Sequence, residues 1–223
     1  MPQQLFALLI GINEYAPESD IRPLKGCVHD TEAVKDYLLT FHEHQMPGGS
    51  DVHLLSLTNK AATREAILRT FNDHLGQAQS GDIAFFYYSG HGSYEHTSPE
   101  LEAYDSQKQN ETLVCYNSRL PGRYDLADKE LAVLLSRIPE GVHKIVVLDS
   151  CHSGSATRSV EEQQYSDRKQ SPPRRNGAAI WKRPLNSYLL PEDGFYQNQD
   201  RDKIMVPQST HLLISACDRD ETA

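Results

Sequence analysis

Residues 6–12 of this chain form an almost unbroken apolar run, and residues 82–88 and 144–148 repeat it with Ile83, Ala84, Phe85 and Phe86, then Ile145, Val146, Val147 and Leu148. Continuous runs of β-branched and aromatic residues, as opposed to alternating ones, predict strands buried on both faces. Residues 51–57 alternate apolar with polar and predict a further strand. Between these runs the spacing changes. Ala33, Val34, Tyr37 and Leu38 lie on one helical face within 30–39, and Thr63 precedes a helical stretch through Leu75 as a plausible cap. Residues 128–138 read as a helix stopped by Pro139. A short strand is expected over 111–116 and a fifth main strand over 211–217. Strands alternating with helices predict an α/β fold, a mostly parallel sheet with helices on both faces.

Two stretches break the pattern. Residues 155–210, centred on Pro172, Pro173, Arg174, Arg175, Asn176 and Gly177, are polar and read as an exposed insertion. A shorter polar stretch, 94–110, reads as one rim of a cleft. At 223 residues and 25.1 kDa the chain suits a single domain. Its 22 Lys and Arg against 31 Asp and Glu leave a formal charge of −9. That balance disfavours nucleic acid and anionic membranes as partners and favours cationic ones. Cys27, Cys115, Cys151 and Cys217 are scattered, without metal-site or disulfide-scaffold spacing, which fits a reducing, cytoplasmic setting. The first apolar run has no basic region before it and is too short to cross a bilayer, so it reads as a strand and not as a leader.

The chemistry sits where two of the buried strands end. Cys151 follows the 144–148 run and His91 follows the 82–88 run. Parallel neighbours lie about 4.8 Å apart, so residues leaving their carboxyl ends emerge on one edge and can meet. A free thiol has a pKa near ~8.5 and needs a base or a stabilising field to act as thiolate at neutral pH. His91 is the candidate base. Gly90 and Gly92 allow a tight turn around it, and the amides of Gly92 and Cys151 are candidate donors to a developing oxyanion. His152 is the rival base, although neighbours along an extended chain project to opposite sides. Taken one at a time, Cys151 is an inert buried thiol and His91 a turn residue; two strand-end motifs together favour the dyad.

Ser89-Gly90-His91-Gly92 and Asp149-Ser150-Cys151-His152-Ser153-Gly154 resemble the two catalytic motifs of metacaspases, particularly the prokaryotic caspase-like proteases called orthocaspases. Similar blocks stand at Leu8 to Tyr15, Leu24 to Asp30, Glu111 to Leu113, Asp125 to Leu131 and Leu213 to Cys217. The resemblance implies the caspase-like (caspase–haemoglobinase) fold and a cysteine endopeptidase cleaving after Arg or Lys. It implies that Asp30 and Asp149 line the primary specificity pocket, with Cys27 and Ser89 in its wall. It further implies that one acid of the run Asp218, Asp220 and Glu221, with no choice made among them, completes the pocket; Asp220 stands for the run. A pocket for a cationic side chain does need carboxylates. The chain ends soon after its last strand, so the resemblance implies a large-subunit portion whose small-subunit portion lies in another fragment, itself a possible partner.

Many metacaspases bind calcium through several aspartates, including an adjacent pair before a helix. Here that place reads Asp125-Leu126-Ala127-Asp128-Lys129-Glu130, and the lysine argues against a calcium site. No metal or other cofactor is expected. The basic residues of the insertion are self-processing targets, Arg174 and Arg175 foremost, while Arg183 precedes Pro184 and should resist cutting; a solvated basic loop is the plain alternative. Two other classes stay open. One is a catalytically silent caspase-like module used for binding or regulation, and the other is a non-peptidase thiol hydrolase.

Overall fold

The computed structural model describes residues 2–46, 48, 50–104, 108–150, 175–176, 179–180, 183–189 and 209–215. In chain order the strands are β1 (Leu5–Gly11), β2 (Val52–Thr58), β3 (Ile83–Ser89), β4 (Gly92–His96), β5 (Gln109–Leu113), β6 (Leu126–Ala127), β7 (His143–Asp149), β8 (Arg175–Asn176), β9 (Ala179–Ile180) and β10 (Leu212–Ser215). The helices are α1 (Cys27–Gln45), α2 (Arg64–Thr70) and α3 (Asp128–Arg137). Five strands make one sheet in the order β10-β7-β3-β1-β2, every pair parallel. β4, β5 and β6 form a separate antiparallel sheet, and β8 pairs with β9.

The period of two along a strand decides which residues face which helices. Phe6, Leu8 and Ile10 of β1, Ala84, Phe86 and Tyr88 of β3, and Val146 and Leu148 of β7 share one face. They form a cluster with Ile67, Phe71 and Leu75 of the α2 region and Leu131, Leu134 and Leu135 of α3. Leu5, Ala7, Leu9, Phe85, Tyr87 and Val147 turn the other way, onto Val34 and Leu38 of α1. β1 is thereby removed from water on both faces, as its unbroken apolar run predicts, whereas on the α1 side Ile83 and Phe85 of β3 and Val147 of β7 are partly buried. Each fully buried Leu or Ile stabilises the fold by roughly 1.5–3 kcal/mol.

Local chemistry sets the helix ends. α1 starts at Cys27, three residues earlier than the apolar spacing suggests, because Gly26 takes φ 110° at the preceding position, a conformation that L side chains rarely adopt. The helix lies against β1 at Gly11, where a Cβ would stand 2.3 Å from Thr31 Oγ1 and 2.9 Å from the Cys27 carbonyl. Thr63 Oγ1 accepts the Ala66 N–H at 3.2 Å and caps α2, which continues as a π-helical turn over Phe71–Leu75. The helical stretch through Leu75 is therefore as expected.

Two expectations are corrected. The polar stretch 94–110, read only as one rim of a cleft, carries regular structure: most of β4 and the start of β5 lie in it, with a 3-10 helix over Pro99–Tyr104. Their residues are polar because β4 and β5 belong to a small sheet whose ladder satisfies the backbone while polar side chains meet buried partners. The expected 111–116 strand accordingly starts at Gln109 and ends at Leu113. The insertion, read as exposed throughout, is buried in part, since Arg183 is 1% exposed and Tyr188 7%. The last main strand is described to Ser215; the two residues that would complete it lie outside the described residues.

Candidate active site

β3 and β7 are neighbours in full register, with Tyr87 opposite Val147 and Ser89 opposite Asp149. The chain leaves both at the same level of the sheet, so His91 and the Asp149-Ser150 end of β7 come to one edge. Gly11 ends β1 opposite Ser89 at the same level. In a doubly wound parallel sheet this carboxyl edge is where ligands bind. Cys151 itself, with His152, Arg174 and Asp220, lies outside the described residues.

His91 is held from three sides. Its ring Nε2 is 2.9 Å from the Arg22 carbonyl, its backbone N–H donates to the Tyr15 hydroxyl at 2.9 Å, and its carbonyl accepts from the Tyr88 hydroxyl at 2.8 Å. A carbonyl only accepts, so the neutral imidazole carries its hydrogen on Nε2 and its basic lone pair on Nδ1. The Tyr15 ring lies 5.3 Å from the imidazole, and the single hydrogen of the Tyr88 hydroxyl is shared with the Val114 carbonyl at 2.9 Å. Burial pushes the Tyr15 and Tyr88 hydroxyls well above their ordinary range, so both stay protonated. Gly90 makes this possible: a Cβ there would stand 2.6 Å from the Tyr88 hydroxyl. Gly92 begins β4 and is buried, opposite Leu113.

Parity also gathers residues that the resemblance assigns to a pocket. Tyr87, Ser89 and Asp149 share the α1 face, and the first turn of α1 supplies Cys27 and Asp30. Ser89 Oγ donates to Asp149 Oδ2 at 2.9 Å. Cys27 is fully buried, while the Asp30 side chain is 44% exposed with His29 Nδ1 3.9 Å away. Burial pushes the Tyr87 hydroxyl up, and negative Asp149 and then Asp30 add to the shift. Both carboxylates thus lie within electrostatic reach of one hydroxyl beside the strand end.

The acids before α3 are engaged by protein groups. Asp125 Oδ2 accepts from Thr112 Oγ1 at 3.0 Å and lies 3.5 Å from Arg119 Nη2. Asp128 Oδ1 is 3.5 Å from Lys129 Nζ, and Glu130 is bonded by Arg64 and Arg183. Among these oxygens Asp125 Oδ1 is buried without a hydrogen-bond partner. Among the described residues no group of three or more His, Cys, Asp or Glu side chains could hold a metal ion.

Sequence reasoning did not single out the supports of His91. Tyr88 was readable only as a strand residue, although a Tyr on a buried face needs a partner for its hydroxyl, and that need is a usable signal. The Arg22 carbonyl is a backbone group and leaves no trace in residue type.

Residues 6–159 match the family described as metacaspase, peptidase C14 domain. Metacaspase-1 of Plasmodium falciparum is 36% identical over 156 residues, covering 67% of this chain and 24% of that relative. Metacaspase-9 of Arabidopsis thaliana is 30% identical over 166 residues, covering 73% of this chain and 47% of the relative. Metacaspase-1 of Mycosarcoma maydis is 31% identical over 157 residues, covering 67% and 36%. The chain therefore spans less than half the length of these curated relatives. A solved structure from Geobacter sulfurreducens superposes with a TM-score of 0.64 over 99% of this chain and 75% of that one; at 23% identity this is a likeness of fold alone.

Proposed function

Because this chain belongs to the metacaspase family of C14 peptidases, we propose that it is a cysteine endopeptidase of caspase-like α/β fold that cleaves after Arg or Lys. The observation that carries the reading is the His91 Nε2 to Arg22 carbonyl bond at 2.9 Å, on a histidine set at the same sheet edge as the strand that leads into Cys151. It orients the ring and puts the basic nitrogen at Nδ1. In this mechanism His91 Nδ1 takes the Cys151 proton, and the thiolate sulfur attacks the scissile carbonyl carbon. The amides of Gly92 and Cys151 receive the oxyanion. The C–N bond breaks as the imidazolium returns its proton to the leaving amine. Water, deprotonated by His91, then hydrolyses the thioester and releases the thiol.

Selectivity for a cationic side chain rests on Asp149 and Asp30, with Ser89 and Cys27 in the wall and Asp220 completing the pocket. Ser89 fixes the Asp149 carboxylate in one orientation. The substrates are peptides or proteins with Arg or Lys at the cleavage site. Arg174 and Arg175 are the self-processing positions, and a C-terminal fragment of the same protein is a partner. The cation-filled acids before α3 support activity without calcium. Among the described residues no helix is long and apolar enough to cross a membrane, and the scattered free thiols fit a cytoplasmic setting.

Paired fluorogenic peptides ending in Arg, Lys or Asp, assayed with and without calcium against Cys151→Ala, test this reading. Turnover after Arg or Lys that is lost in Cys151→Ala and unchanged by calcium is expected. Cleavage after Asp would overturn the pocket assignment. No turnover of any peptide would favour the silent binding module.

A further inference from the structure

Among the described residues Arg183 is the largest fully buried side chain, and it comes from the segment whose composition suggests a solvated loop. Its guanidinium makes five hydrogen bonds, matching the five N–H groups of the fork. Nε donates to Ser187 Oγ at 3.0 Å, Nη1 to Glu95 Oε1 at 3.0 Å and to the Asp125 carbonyl at 3.1 Å, and Nη2 to Glu130 Oε2 at 3.0 Å and to the Ser187 carbonyl at 2.9 Å. The Tyr188 ring stacks on one side with its centroid 4.0 Å from the guanidinium carbon, and Tyr124 lies at 4.8 Å. Two carboxylates, two carbonyls, a hydroxyl and two aromatic faces form a site shaped for a planar cation and fully desolvated. Glu95 is on β4, four residues past His91; Glu130 is on α3, where it also accepts the Ala127 N–H at 3.0 Å and the Leu189 N–H at 2.7 Å. Asn110 of β5 bridges Glu95 and the Tyr188 hydroxyl at 3.2 and 2.6 Å.

We propose that this is a guanidinium-binding cage occupied by the chain's own Arg183, which latches residues 183–189 onto the β4–β6 sheet that follows His91. The cage selects for the fork and not for charge alone. A divalent ion has no use for the aromatic walls and finds too few free oxygens in a site whose remaining acceptors point at planar N–H positions. The latch does not depend on the proposed peptidase activity, because every contact in it lies outside the Cys151 region.

The test uses the full chain carrying Cys151→Ala, so that self-cleavage plays no part. Arg183→Ala is expected to lower Tm by about 6 °C or more, because it leaves Glu95 buried without a cation and takes from Glu130 one of its two guanidinium partners, Arg64 remaining. It should also raise the rate of chymotryptic cleavage after Tyr188 by ~tenfold or more, since that bond is then released from the sheet. Guanidinium chloride at low millimolar concentration should restore both readouts relative to the parent, whereas sodium or calcium chloride at matched ionic strength should not. Should Arg183→Ala fail to fold, Arg183→Lys carries the same test. It keeps the charge but offers three donors in place of a planar five, and a loss of Tm together with release of the Tyr188 bond is again expected. The proposal is overturned if Arg183→Ala melts with the parent and keeps Tyr188 protected, if calcium rescues as well as guanidinium, or if Arg183→Lys is indistinguishable from the parent.

Discussion

Replacing Gly90 by Ala tests how tightly the support of His91 is built. The demand at Gly90 is for space. A methyl group there would stand 2.6 Å from the Tyr88 hydroxyl oxygen, 2.9 Å from its Cζ and 3.3 Å from the Tyr15 hydroxyl. Carbon contacts settle near ~3.5 Å, so the Tyr88 ring tip must retreat by roughly 1 Å. The one hydrogen of its hydroxyl, shared between the His91 carbonyl at 2.8 Å and the Val114 carbonyl at 2.9 Å, then loses both acceptors. That loss costs about 1 kcal/mol. Overpacking in a closed core adds ~1–3 kcal/mol. The total of about 2–4 kcal/mol corresponds to a fall in Tm of ~4–16 °C for a chain of this size. Urea unfolding at constant m-value reads the stability, and peptide turnover reads the shift of His91. Tyr88→Phe removes the oxygen at 2.6 Å but leaves the ring carbon at 2.9 Å. The double variant should therefore be less destabilised than the sum of the singles by ~1 kcal/mol or more. Gly90→Ala within ~0.5 kcal/mol of the wild type, or strict additivity with Tyr88→Phe, would refute the reasoning.

Three further outcomes are expected. Asp149→Asn should reduce kcat/KM for Arg peptides by at least ~30-fold, chiefly through KM, because it removes a charge from the partner of a cationic side chain; fluorogenic turnover measures it, and equal losses on neutral peptides would count against the pocket role. His74 Nε2 lies 3.1 Å from the Ala7 carbonyl and 2.9 Å from the His53 carbonyl, and burial holds the imidazole below its usual range despite those bonds. The folded state therefore favours neutral His74, and its stabilisation, complete above the unfolded-state pKa of ~6.5, is lost as pH falls through the lower folded value. His74→Gln should flatten the decline of Tm from pH 7.5 towards 5.5, and an unchanged slope would show that other groups carry it. Thr63→Ala should cost about 1 kcal/mol in urea unfolding by removing the α2 cap, and no loss would mean that packing of Ile67 and Phe71 alone sets that end.

The strand edge that carries His91 was legible because it depends on local chemistry. The unbroken runs at β1, β3 and β7 are short and rich in β-branched and aromatic residues, which favours buried strands, and strands of that kind lie parallel. Once β3 and β7 are neighbours, the period of two places Ser89 beside Asp149 and on the side of α1. The β4–β6 sheet was not legible. Gly92 to His96 is short and polar, and Glu95 within it reads as a surface acid. Its burial depends on a guanidinium 88 residues further along the chain, which no window of sequence contains.

What the sequence by itself determined is the set of central strands, the helices that cover them and the residue types delivered to their carboxyl edge, since alternation and capping act over a few residues. Tertiary structure alone decided which nitrogen of His91 carries the proton, because that rests on the backbone carbonyl of Arg22 and not on any side chain. It alone also decided that Arg183 is a core residue. A buried charge is stable only when acceptors from several distant elements surround it, and their convergence is a property of the folded chain.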